Sequence, residues 1–125
     1  MKQLNTHTNL PILQKSSDAY KLWYGFLPHA PRLSRYTLGT KIDALLLETV
    51  ELIVLASYAS KDQKYVLITR ASGKLDLVKF FLQLAWELKM MDNKTYLAIS
   101  SPLIEVGKML GGWQRQLALK EAPAH

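Results

Sequence analysis

The chain reads as an all-α protein, an up-down-up-down antiparallel four-helix bundle. Three observations predict this. Four segments repeat apolar residues at alternating spacings of three and four, proline keeps to segment ends or early turns apart from Pro102, and no stretch alternates like a strand. With 125 residues, 49% of them hydrophobic, the chain can bury one core and not two, so a single domain over 1–125 is expected. Residues 1–9 and 119–125 are expected to be flexible tails.

The first helix places Ile12, Ser16, Ala19, Trp23 and Phe26 on one face, with Pro11 suited to its first turn. It ends before "LPHAPR", where Pro28 and Pro31 break the period. The second opens at "RLSRYTLGTKIDALLLETVEL" and carries Leu38, Ile42, Leu45, Thr49, Leu52 and Ala56 on its seam, flanked by Leu46, Val50 and Ile53. A polar "SKDQK" leads into the third seam: Ile68, Ala71, Leu75, Val78, Leu82 and Ala85. Asp92 or Asn93 is placed to cap the fourth helix, whose seam is Tyr96, Ile99, Leu103, Val106, Leu110, Trp113 and Leu117. Pro102 falls inside it and predicts either a short preceding turn or a kink.

Two helices carry more than a seam. In "GKMLGGWQRQL" three glycines interrupt a helix, each at a cost of about 1 kcal/mol relative to alanine. Gly107 and Gly111 lie beside the seam on a stripe shared with Ser100 and Ala118, which lets a second backbone approach, either within the bundle or from another subunit. Gly112 points away and has no such explanation. On the third helix Leu77, Phe81, Leu84 and Leu88 form an apolar flank that Arg70 and Lys74 continue, as snorkelling bases or as the edge of an interface.

The net charge of +6 favours polyanionic partners. The excess sits at residues 1–35, with four more bases than acids, and 61–79, with three more. The absence of cysteine excludes disulfides, thiolate metal sites and a cysteine nucleophile. No signal-peptide-like run opens the chain, and Ala44–Ala59 is too short and too charged to span a bilayer, so a cytoplasmic location is expected. The histidines, His7, His29 and His125, are scattered, and no pair has the i, i+4 spacing of a metal site. Glu48 and Glu51 lie near one helix face but lack the Glu-x-x-His partners of bundle metal centres. "LGG" and "ASG" lack the strand-to-helix context of a phosphate loop. Neither an enzyme nor a cofactor is expected.

The succession "LPILQKSSDAYKLW", "RLSRYTLGTKIDALLLETVEL", "VKFFLQLAWELKMM" and "IEVGKMLGGWQRQL" resembles a family of small four-helix bundles. That family contains Avd, the accessory variability determinant of diversity-generating retroelements, and proteins encoded in intervening sequences of bacterial 23S ribosomal RNA genes. The resemblance runs from about Leu10 to Leu117 and is most specific in "RYTLG" and "GKMLGGW". It implies a homopentamer shaped like a tapered barrel, basic on its surface and channel, that binds nucleic acid and a reverse transcriptase. Such a protein supports template-primed, mutagenic cDNA synthesis without catalysing it. Where the family often has two arginines, as in "LRFLLRLA", this chain has "VKFFLQLA": Lys79 keeps the first charge and Gln83 loses the second.

Candidate phosphate contacts are Arg32, Arg35, Lys64, Arg70, Lys74, Lys79, Lys108 and Arg115, which would bind RNA or DNA with strong salt dependence and little sequence preference. Arg35 has a structural alternative, pairing with an acid of a neighbouring helix or subunit. Candidate oligomer-interface positions are Gly107, Gly111, Phe81 and Leu84. The same features also fit a protein-interaction adaptor that uses its apolar flank and takes only solubility from its charge, or a ribosomal-RNA-insert protein of undefined role.

Overall fold

A computed structural model describes residues 6–121. Four long helices, α1 (Thr6–Phe26), α3 (Thr40–Tyr58), α4 (Lys61–Glu87) and α5 (Asn93–Glu121), form an antiparallel bundle, and there is no strand among the described residues. Helices α1 and α4 each pack against both α3 and α5, so α1 and α4 occupy opposite corners. A 3₁₀ turn (Leu27–His29), one α-helical turn, α2 (Arg32–Ser34), and a π-helical turn (Arg35–Gly39) join α1 to α3.

The seams meet as their spacing predicts. All six seam positions of α4, Ile68, Ala71, Leu75, Val78, Leu82 and Ala85, are its buried residues. They meet Trp23 from α1, Ile42, Leu46 and Ile53 from α3, and Ile99, Leu103, Val106 and Leu110 from α5 in one continuous core. Three buried hydroxyls need partners inside that core and find them on their own helices: Ser16 donates to the Leu13 carbonyl, Thr49 to Leu45 and Ser57 to Ile53, at 3.1, 2.7 and 3.0 Å. A buried donor left unpaired would cost roughly 1–3 kcal/mol.

The helix ends are closed by specific contacts. Asp92 caps α5, its carboxylate accepting the Thr95 amide at 2.8 Å. That bond, reinforced by the Thr95 side chain, holds the Asp92 carboxyl below its usual pKa. Helix α4 ends in a Schellman motif: the Lys89 amide donates to Trp86 O and the Met90 amide to Ala85 O, at 3.0 and 2.9 Å. Lys89 takes the left-handed conformation there, with φ of 64°.

Three expectations about boundaries change. Helix α5 continues through Pro102, which removes the separate preceding turn of the two alternatives. Burial of Ile99 and stacking of Tyr96 on Trp86, with centroids 5.1 Å apart, hold the segment before the proline in the bundle, against roughly 3 kcal/mol for an interior proline. Helix α1 begins at Thr6, so Pro11 lies inside it and not in its first turn. The second segment is not one regular α-helix from Arg32, because five residues, "RYTLG", wind as a π turn. Residues 6–9 and 119–121 of the expected tails are helical, and the rest of both tails lies outside the described residues.

Candidate nucleic-acid interface

The basic side chains divide by what they touch. Arg35 is half-buried beneath the α1–α3 connection, and its Nη2 donates to the carbonyls of Pro28 and Ala30 at 2.8 and 3.0 Å. Its Nε is buried and has no hydrogen-bond partner among the described residues. This guanidinium fixes the connecting loop, and its partners within the described residues are backbone carbonyls and not an acid of a neighbouring helix. Lys64, on the first turn of α4, donates from Nζ to the Ala56 carbonyl at 2.7 Å, closing the last turn of α3. Burial pushes its pKa down.

Lys74 pairs with Glu48 across the α3–α4 seam at 2.9 Å, with both side chains partly exposed. That contact is the use the structure gives Glu48; Glu51 stays exposed. A solvent-accessible pair of this kind is worth at most about 1 kcal/mol. Lys79 lies 3.7 Å from Asp76 one turn back on its own helix. Arg32, Arg70, Lys108 and Arg115 are exposed and have no ion pair among the described residues. Lys108 and Arg115 share the outward side of α5.

The glycines of "GKMLGGW" explain part of this layout. A Cβ at Gly107 would sit 3.1 Å from Lys79 Nζ and 3.6 Å from Leu75 Cδ2, so this glycine lets α4 side chains lie against α5 within the protomer. At Gly111 the nearest group is Arg115 Nη1 at 3.5 Å, and at Gly112 it is Arg115 Nη2 at 3.9 Å. The guanidinium of Arg115 thus lies back over both glycines. Of the flank on α4, Phe81 packs against the core edge and Leu84 is half-buried, while Leu77 and Leu88 remain exposed.

Sequence reasoning missed three residues. Asp43 accepts hydrogen bonds from Tyr20 Oη at 2.8 Å and Trp23 Nε1 at 3.1 Å, tying α3 to α1. Burial and that carboxylate raise the Tyr20 phenol to about 12. A lone acid beside an apolar seam, matched to two polar-tipped aromatics on another seam, was the available signal. Leu33 and Tyr36 stand out from the α2 and π turns, 78% and 67% exposed. Their exposure had no periodic signal, since neither belongs to a seam.

His29 is exposed beside an open depression lined by Phe26, Pro31, Trp86 and the α4–α5 turn. No group of acids and histidines among the described residues is arranged to hold a metal ion. The side chains of His7 and His125 lie outside the described residues. No helix among the described residues is long and apolar enough to cross a membrane.

The fold and its unpaired surface bases define a small, basic, all-α bundle with a divided set of cations, some structural and some turned outward. A family model described as bAvd-like matches residues 10–117, and the chain belongs to that family. Among the curated proteins compared with it none matches. The same holds for the solved structures.

Proposed function

We propose that the chain is a non-catalytic accessory protein of a diversity-generating retroelement, binding nucleic acid and the element's reverse transcriptase as a homopentameric basic barrel in the cytoplasm. Membership of the bAvd-like family over residues 10–117 carries this reading. Its phosphate contacts are the outward cations Arg32, Arg70, Lys108 and Arg115, with Lys79 at the α4–α5 seam. Arg35 and Lys64 are spent on backbone carbonyls, and Lys74 on Glu48. Four outward bases are a weak site singly, and five-fold repetition around a ring multiplies them through effective concentration.

Light scattering followed by a titration with structured RNA and duplex DNA tests both halves of the proposal. A mass near five times 14.2 kDa, with affinity falling steeply as salt rises, is the expected result. A monomer removes the barrel, and no binding at low salt removes the nucleic-acid role. A second reading, an adaptor that binds a protein through an apolar face, draws on the outer side of α4, where Val66, Leu77, Phe80 and Leu88 are exposed. It predicts salt-independent capture of the reverse transcriptase by a protein that ignores nucleic acid.

A further inference from the structure

The connection between α1 and α3 carries one of the phosphate contacts, Arg32, and beside it an exposed apolar surface that phosphate binding does not explain. Tyr36 is 67% exposed, and among the described residues its hydroxyl has no hydrogen bond and its ring no aromatic neighbour. Leu33, one turn before it, is 78% exposed, and Arg32 beside Leu33 is exposed without an ion pair. A solvated tyrosine and leucine side by side bury nothing within the chain.

The backbone beneath them is held firmly. The Arg35 guanidinium grips the carbonyls of Pro28 and Ala30, and Thr37 Oγ1 donates to the Leu33 carbonyl at 2.8 Å. Gly39 closes the π turn against Leu27 and Met90. Single π turns inside helices are frequent at functional sites. The exposed ring is therefore presented from a backbone tied down at Pro28, Ala30 and Leu33.

Charge selects the occupant. No aspartate or glutamate occurs between Asp18 and Asp43, while Lys21, Arg32, Arg35 and Lys41 do. Asp43 itself is engaged by Tyr20 and Trp23. A positively charged segment carrying an open aromatic face, with an adjacent arginine that has no ion pair among the described residues, matches an unpaired nucleotide: the base stacks on the ring and its phosphate meets the guanidinium.

We infer that Tyr36, backed by Leu33 and flanked by Arg32, is a base-stacking contact for single-stranded nucleic acid, giving the protein a preference for unpaired over duplex segments. This inference rests on the nucleic-acid reading above.

Fluorescence anisotropy of the full-length protein with a labelled single-stranded 20-mer, as DNA and as RNA, and with a duplex of the same length tests it. Tyr36→Ala weakens single-strand binding about ten-fold, leaves the slope of log affinity against log salt unchanged and leaves duplex binding unchanged. Tyr36→Phe binds as the parent does. Arg32→Gln lowers the salt slope by about one phosphate contact. The side chain of Tyr36 has no hydrogen-bond or ring partner among the described residues, so circular dichroism of the variants matches the parent.

Equal single-strand binding by the parent and Tyr36→Ala overturns the inference and leaves the nucleic-acid role standing. A parent that binds no nucleic acid at low salt overturns both. An equal loss on single strand and duplex assigns Tyr36 to general shape and also overturns the stacking role. Loss of reverse-transcriptase binding in Tyr36→Ala, with nucleic-acid binding intact, assigns the surface to a protein partner instead.

Discussion

Lys89 holds a backbone conformation that suits glycine. A left-handed φ of 64° costs an L-residue about 1 kcal/mol or more, and the Schellman bonds from Lys89 and Met90 require it. Lys89→Gly keeps both bonds and raises the free energy of unfolding by about 1 kcal/mol, read from urea denaturation. Tyr20 gives a second prediction, in pH. Its phenol ionises near 12 in the folded state, against 10.0 for an unperturbed tyrosine. The protonated form donates to Asp43, so its contribution to stability is complete below pH 10 and disappears as the pH rises through about 12. Absorbance at alkaline pH should show the Tyr20 phenol ionising near 12, and Asp43→Asn should bring it back towards 10. Both residues were invisible to periodicity: a Schellman position depends on where a helix stops, and a Tyr–Asp bond depends on which helices meet.

Among the elements, the long helices were legible and the connection was not. The α4 seam could be read residue by residue because apolar spacing alone decides which side of a mid-bundle helix is wet. The π turn carries one more residue per turn than that spacing assumes, so "RYTLG" read as the first turns of an α-helix. Two glycines separate the cases experimentally. Gly73, in the middle of α4, has nothing within 4 Å of an added Cβ, so Gly73→Ala stabilises by about 1 kcal/mol through helix propensity alone. At Gly39 the same atom would lie 3.0 Å from Leu27 Cδ1 and 3.2 Å from the Ser34 carbonyl, and that backbone oxygen cannot retreat without rewinding the turn. Gly39→Ala therefore destabilises by about 1 kcal/mol, the overpacking outweighing the propensity gain. Thermal melts of the two variants should move in opposite directions.

For the whole molecule, the useful division is between cations that hold the bundle and cations that face outward. Composition reports only their sum. Which base is which follows from carbonyls at the ends of other elements, Pro28 and Ala30 for Arg35 and Ala56 for Lys64, and local sequence does not place those beside a given side chain. The two sets respond oppositely to neutralisation. Arg35→Gln and Lys64→Gln each lower unfolding free energy by about 1–3 kcal/mol, by leaving carbonyls and an altered side chain unpaired. Arg70→Gln and Lys108→Gln change it by less than about 0.5 kcal/mol and weaken nucleic-acid binding while reducing its salt slope. Denaturation and titration on the same four variants check both halves. Pro102 sets a further whole-molecule property, the order in which the protein opens. It has no amide to offer the Ala98 carbonyl, so the ladder of α5 has a missing rung between Asn93–Ser101 and Leu103–Glu121. Cooperative opening is passed along a helix through that ladder. Native-state hydrogen exchange should therefore show the stretch from Asn93 to Ser101 exchanging through a smaller, earlier opening than the stretch beyond the proline, which is released only with the rest of the core.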